Sequence, residues 1–220
     1  LDAVYTTLEA ARAYGFEEIL FPVGNDFYNS DSLYNATTKG TPQDEDTRWP
    51  KTFTVGRQML TEAIDYMRRF APVRVIRVPG NHDEQRSFYI CALLEAWYRN
   101  CNDVTVENSP KSIVYYQWGK CMLGFTHEGK KPEDLILTMA TDEPVMWSET
   151  EYREIHTAHL HHLQAFERKG VRVITMPSFV ALSAWAARQG YRSLRESTGC
   201  LWNKEYGKIA TLHYHPVRVA

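Results

Sequence analysis

The chain has 220 residues, of which 25 are basic and 27 acidic, so its formal net charge is -2. Hydrophobic residues make up 44% and charged residues 24%, a composition typical of globular domains that argues against disorder. The balanced charge gives no general indication of a nucleic-acid or anionic-membrane partner, and no apolar run approaches the ~20 residues of a membrane-spanning helix.

The first half of the sequence alternates helical and strand patterns. Apolar residues recur every three or four positions over 1–15, which predicts an amphipathic helix, and the apolar run 18–23 predicts a buried strand. The polar segment 29–50 follows as a loop, and loops of this length are often functional. The remaining elements predicted for this half are a helix over 52–70, a strand over 73–78 and a helix over 87–99.

The second half is richer in strands, although its acidic region 133–154 favours helix. The predicted strands cover 104–106, 113–118, 122–125, 155–158 and 171–176, and a final hairpin uses 201–202 and 209–214. This order of elements predicts one α/β domain over 1–220 with a mixed sheet or two packed sheets.

The cysteines form neither a C-x-x-C pair nor a short regular spacing, which argues against a zinc ribbon or a thioredoxin-like redox motif. They are Cys91, Cys101, Cys121 and Cys200. Reduced thiols in a cytoplasmic protein are therefore expected.

Several predicted strands end at a residue that can bind a metal ion. These residues are Asp26, then Asn81 with His82 and Asp83, then His127, and finally His159 with His161. In open α/β sheets, ligands bind beyond the carboxyl ends of strands. Carboxylate, amide oxygen and imidazole together suit borderline divalent metals such as Mn, Fe, Zn or Co.

Four of these segments resemble the ordered motifs of the calcineurin-like metallophosphoesterases. Gly80–Asp83 (GNHD) matches the family's Gly-Asn-His-Asp/Glu motif, and Ala158–His161 (AHLH) matches Gly-His-x-His except for its first residue. Gly24–Phe27 (GNDF) is similar to the Gly-x-Asp-Phe form of the nuclease branch, and Gly124–His127 (GFTH) is similar to the lone-histidine motif. The resemblance covers roughly 16–178, and the sequence also resembles phage or prophage members of this superfamily.

This resemblance implies a four-layer α/β/β/α sandwich of two mixed sheets flanked by helices. It implies a phosphoester hydrolase in which a metal-activated hydroxide attacks phosphorus. In such a site Asp26 would bridge two metal ions. The other ligands would be Asn81, His127, His159 and His161.

The same resemblance assigns His82 to catalysis, where an imidazole facing the substrate protonates the leaving oxygen. Asp83 would hold the second nitrogen of that ring and orient it. Arg86 is a candidate for binding substrate phosphate, because a guanidinium pairs with phosphate through two hydrogen bonds.

The family's first motif, Asp-x-His on the first strand, has no counterpart before Asp26. We therefore expect this sequence to lack its natural N-terminal strand and part of one metal site. The resemblance implies two metal ions, Mn in the first place, in the full-length protein and one in this chain.

Three functions stay open at this point. The similarity of Gly24–Phe27 to the nuclease branch favours phosphodiesters such as nucleic acid as substrate. The alternatives are a phosphomonoesterase on small phosphorylated substrates or nucleotides, and an inactive metal-binding interaction module. No membrane partner is expected. His213 and His215 share a face of the last predicted strand, but no carboxylate or cysteine accompanies them in the sequence, which argues against a second metal site there.

Overall fold

The structure, a computed structural model, describes residues 1–45, 48–180 and 193–216. In these ranges five α-helices and ten strands in three sheets confirm the predicted α/β class. The chain divides into two compact units, one over Leu1–Val114 and one from Tyr115 onward, and the single domain over 1–220 stays a prediction. Within the described ranges no helix is both long and apolar enough to cross a membrane.

The first unit holds a three-stranded parallel sheet in the order β1-β2-β3. Its elements are α1 (Asp2–Ala11), β1 (Ile19–Gly24), α2 (Trp49–Met67), β2 (Val73–Val78), α3 (Glu84–Tyr98) and β3 (Val104–Glu107). The central strand β2 is almost entirely buried, as expected for an apolar, β-branched segment of a parallel sheet. Gly24 pairs with Val78, so the carboxyl ends of β1 and β2 lie side by side.

The core of this unit lies between the sheet and its helices. Leu60, Ile64 and Met67 recur at helical spacing on α2 and are buried in the same cluster as Val75 of β2 and Leu94 of α3. Removing one large aliphatic side chain from water stabilises the fold by roughly 1.5–3 kcal/mol. This packing holds the strand ends in place.

The second unit holds a mixed five-stranded sheet in the order β4-β5-β6-β8-β7 and a separate two-stranded hairpin, β9-β10. Its elements are β4 (Ile113–Trp118), whose first two residues belong to the first unit, β5 (Cys121–Thr126), α4 (Pro132–Asp142), α5 (Pro144–Glu149), β6 (Tyr152–Thr157), β7 (Gln164–Arg168), β8 (Val171–Thr175), β9 (Ser197–Asn203) and β10 (Gly207–Tyr214). Strands β5, β6 and β8 are parallel, and β7 is antiparallel to β8.

Several predicted elements have shifted bounds in the structure, and two differ more strongly. The helix predicted over 1–15 ends at Ala11 and continues as a short 3-10 turn, after which Gly15 adopts a φ of 68°. The region 133–154 is not helical throughout, since β6 already begins at Tyr152. The strand β7 was not predicted, because its mostly exposed residues at the sheet edge show no buried alternation.

All four cysteines lie in the described part of the chain and form no disulfide there. This agrees with the expected reduced thiols. A cytoplasmic location stays a prediction.

Candidate functional site

In the first unit, the residues after β1 and β2 form one hydrogen-bonded network. The Oδ1 atom of Asp26 accepts a 2.8 Å hydrogen bond from the backbone N–H of His82. In return, Oδ1 of Asp83 accepts bonds from the backbone N–H groups of Asp26, at 3.2 Å, and Gly80, at 3.1 Å. The two strand ends are thereby joined at the positions that the motifs single out.

Glycine is required at position 80 because the chain approaches so closely there. A Cβ on Gly80 would lie 2.1 Å from Oδ1 and 2.4 Å from the backbone nitrogen of Asp26. Asp26 and the preceding Asn25 adopt left-handed φ values of 65° and 58°. Asn and Asp tolerate this conformation better than other residues with a Cβ, and such strain concentrates at functional sites.

The carboxylate of Asp83 is an internal anchor. The residue is fully buried, and its Oδ2 atom accepts a further 3.2 Å bond from the backbone N–H of Tyr28. Burial, followed by the nearby charge of Asp26, raises the pKa of Asp83 to about 6, although backbone hydrogen bonds act in the opposite direction. The prediction that Asp83 holds the ring of His82 is therefore wrong, because its oxygens face the main chain.

A backbone carbonyl orients His82 instead. Nδ1 of this half-buried ring lies 2.9 Å from the carbonyl oxygen of Asn29. A carbonyl can only accept, so Nδ1 carries the proton. Among the residues that the structure describes, Nε2 has no hydrogen-bond partner. The ring is thus held by one nitrogen, and the catalytic role of the other stays a prediction.

The loop that follows β1 is fastened to the start of α3. The guanidinium of Arg86 is buried and donates to Oγ of Ser30 and to the carbonyl of Ser32, both at 3.1 Å. Asp31 accepts from the backbone N–H groups of Gln85 and Arg86. Two donors of Arg86 are therefore engaged inside the fold. Substrate binding by Arg86 stays a prediction, which this geometry does not favour.

Asn81, the predicted amide ligand, belongs to the same turn and is half-buried. Its backbone carbonyl accepts a 3.0 Å hydrogen bond from the N–H of Thr38. The turn is therefore held from the loop side as well as from β1.

In the second unit, two predicted ligands meet at the ends of neighbouring parallel strands. His127 directly follows β5, and Nε2 of its buried ring lies 3.2 Å from Nδ1 of His159, which follows β6. Two nitrogens that bind one cation at ~2.0–2.1 Å with angles between about 90° and 109° stand roughly 2.9–3.4 Å apart. The pair therefore fits two ligands of one metal ion.

His159 and His161 do not continue the strand before them. Extended backbone would direct side chains two positions apart to one face, but β6 ends at Thr157 and the two histidines have φ values of 66° and 57°. Left-handed residues other than glycine are few in the described part of the chain. They are Asn25, Asp26, Asn35, His159, His161 and Lys169. Half of this set are predicted metal ligands, and such outliers point to functional sites.

The structure brings together Asp26, Asn81, His82 and Asp83 in the first unit and His127 with His159 in the second. Over residues 1–45, 48–180 and 193–216, no three His, Cys, Asp or Glu side chains form an assembled metal site. Metal binding therefore stays a prediction. The contact of Asn29 with His82 could not be predicted from the sequence, because Asn29 contributes a main-chain oxygen, which every residue type has.

No protein-family model matches the chain, and no curated protein matches it. Among solved structures, the chain is similar to a Thermotoga maritima protein determined by solution NMR, with a TM-score of 0.41 and 13% sequence identity. The match covers 90% of this chain and 98% of the other. A likeness at this score supports no argument about function.

Proposed function

We propose that the protein is a metal-dependent phosphoester hydrolase that acts on phosphodiesters such as nucleic acid. The observation that carries the proposal is the 3.2 Å approach of the ring nitrogens of His127 and His159 at adjacent strand ends. In the first unit, the carboxylate of Asp26 and the amide of Asn81 are candidate donors in their own right. Mixed oxygen and nitrogen donors of this kind suit borderline divalent metals.

The proposed ligands are Asp26, Asn81, His127, His159 and His161. Divalent cations, Mn²⁺ in the first place and Fe, Zn or Co as alternatives, would act as Lewis acids toward phosphoryl oxygens and lower the pKa of water. The left-handed backbone of Asp26, His159 and His161 supports this set, since strain of ~1–3 kcal/mol per residue persists mainly where function requires it.

His82 is the proposed acid. Because the N–H of Nδ1 donates to the carbonyl of Asn29, Nε2 is the nitrogen that we assign to the substrate. When protonated, Nε2 would donate a hydrogen bond to the transferring phosphoryl group and then give its proton to the leaving oxygen. Asp83 acts as a positioning residue here, since it holds the turn and not the ring.

The test of this function compares substrate classes on metal-stripped protein supplied with Mn²⁺. We expect hydrolysis of bis(p-nitrophenyl) phosphate and of DNA, and slower hydrolysis of p-nitrophenyl phosphate. Faster cleavage of the monoester would replace the nuclease assignment with a phosphatase. Mn²⁺ binding without any hydrolysis would leave the inactive interaction module.

Two substitutions assign the roles. Asp26→Asn should abolish Mn²⁺-dependent hydrolysis with the fold retained in circular dichroism. His82→Asn should lower kcat by about 10²–10⁴-fold with unchanged Mn²⁺ affinity, as expected for loss of a general acid. His162→Asn, in the loop after β6, is the control and should leave both quantities unchanged. Loss of Mn²⁺ affinity in His82→Asn would make His82 a ligand instead.

A further inference from the structure

Three ionisable side chains meet at the open end of the β9–β10 hairpin. His213 pairs with Thr198 and Tyr214 with Ser197, so the antiparallel register places His215 opposite Glu196. Nδ1 of His213 lies 2.5 Å from Oε1 of Glu196, and Nε2 of His215 lies 4.0 Å from Oε2. The hairpin therefore places a carboxylate beside the two histidines, although none lies near them in the sequence.

The hydrogen bond of His215 leaves its second ring nitrogen near a carboxylate oxygen of Glu196. Its Nδ1 atom lies 3.1 Å from the carbonyl oxygen of Arg195, which can only accept, so Nδ1 carries the proton. In the neutral ring, the lone pair of Nε2 then faces a carboxylate oxygen of Glu196, and two acceptors oppose each other across 4.0 Å. Metal–nitrogen and metal–oxygen bonds of ~2.0–2.2 Å at a tetrahedral angle place the two atoms roughly 3.4 Å apart, so the ring of His215 would move toward Glu196 when a metal binds.

The surroundings of Glu196 resemble those of a metal ligand. Its side chain is 9% exposed, whereas the rings of His213 and His215 are 44% and 55% exposed, so an ion can enter from solvent. Oε1 also accepts a 3.0 Å hydrogen bond from Oγ1 of Thr198. Ligating carboxylates are commonly held in this way, and ligating histidines usually donate their other N–H to a carbonyl.

We propose that Glu196, His213 and His215 form a binding site for a zinc-type divalent metal. Two imidazoles and one carboxylate are an established zinc ligand set. The site is not assembled within the described residues, because Nδ1 of His213 contacts Glu196 directly. On binding, the metal takes the place of the proton between these atoms, which is released to solvent, and His213 binds as a neutral ring with its remaining proton on Nε2. The site shares no residue with the ligands proposed above.

The test is a titration of Zn²⁺ into metal-free protein, followed by calorimetry. Glu196→Gln, His213→Ala and His215→Ala should each lose one bound Zn²⁺ per chain or weaken its affinity by at least ~10-fold. Thr198→Val, which keeps all three ligands, should weaken it by about 10-fold through the lost hydrogen bond. His162→Ala should bind as the unsubstituted chain does. Unchanged Zn²⁺ affinity in Glu196→Gln and His215→Ala would overturn the site.

A second measurement uses the unsubstituted chain and separates this site from the hydrolase site. Co²⁺ should broaden the NMR resonances of the His213 and His215 rings, and it should still do so in His127→Ala. Sharp resonances for both rings at saturating Co²⁺ would contradict the hairpin site even if metal-dependent hydrolysis were found. Broadening at both rings without any hydrolysis would support the hairpin site while the proposed function fails.

Discussion

The two strand-end regions that carry the candidate residues are built differently. In the first unit, the turn Gly80–Asp83 is fixed from inside, because the fully buried Asp83 accepts three backbone N–H groups. In the second unit, His159 and His161 are exposed on the segment after β6, and His159 meets His127 through ring nitrogens.

The two regions therefore differ in how far their shape is fixed before a ligand binds. A turn held by main-chain hydrogen bonds has its final shape before any ligand binds. Facing imidazole nitrogens gain most when a cation joins them, since only one proton can lie between them otherwise. Substitutions in the first region should therefore change the free energy of unfolding, and substitutions in the second should change the response to metal.

The largest expected effect comes from adding one methyl group to each region. Gly80→Ala should lower the free energy of unfolding by about 3 kcal/mol, because the new Cβ would overlap Asp26, 2.1 Å from its Oδ1 atom. Gly129→Ala is the matched change near His159, where the nearest atom is 3.6 Å away, and should stay within ~0.5 kcal/mol. Urea denaturation measures both. Equal losses would remove the distinction between the regions.

Removal of the internal anchor should have the next largest effect. Asp83→Ala leaves the buried N–H groups of Tyr28 and Gly80 without an acceptor and should lower the free energy of unfolding by roughly 2–3 kcal/mol. Asp44→Ala, at an exposed loop position, is the control and should change it by less than ~0.5 kcal/mol. A similar result for both variants would show that Asp83 does not hold the turn.

The second region should respond to metal. At a Mn²⁺ concentration ten times Kd, the bound protein gains about 1.4 kcal/mol of stability by mass action, seen as a higher Tm. His159→Ala should lose most of this gain yet differ little from the unsubstituted chain without metal, because the side chain is exposed. His162→Ala should keep the full gain. An unchanged gain in His159→Ala would exclude it as a ligand.

The smallest effect concerns a fixed charge inside the sheet of the second unit. Burial favours the neutral form of Glu154, but the hydrogen bond and charge of His156 and those of Lys208 outweigh burial and lower the pKa of Glu154. A carboxylate with a lowered pKa stabilises the fold above its unfolded pKa of ~4.3, and this stabilisation is lost as pH falls through the folded pKa.

Denaturation between pH 2 and 6 should therefore show a flatter pH dependence in Glu154→Gln than in the unsubstituted chain. The exposed Glu151→Gln is the control and should keep the original slope. A slope that Glu154→Gln leaves unaltered would mean that the contacts of Glu154 with His156 and Lys208 add nothing to stability.

Local pattern predicted much of the fold. The strands Val73–Val78 and Ile113–Trp118 have the predicted bounds, because the β-branched residues of the first are followed by Pro79 and Gly80, and Gly119 ends the second. The strand Gln164–Arg168 could not be predicted, because it depends on pairing with β8 and buries little of its own surface.

The side chains of the candidate site could be predicted from the sequence, but the contacts that hold them in place could not. The residue types and their order along the chain singled out Asp26, the turn Gly80–Asp83 and His159. Two of the three partners of Asp83 come from backbone more than 50 residues away, and the residue type does not reveal a main-chain donor. The carboxylate beside His213 was missed for a related reason, since only the hairpin register places Glu196 there.

The carbonyl of Asn29 that orients His82 has a consequence for mutational tolerance. Any residue at position 29 offers the same oxygen, so saturation mutagenesis should find this position permissive for turnover although its main chain aims the ring. Position 80 should accept glycine alone, although it contributes no functional group. The number of residue types accepted at each position of this turn should therefore follow the space around its Cβ atom and not its distance from the reacting groups.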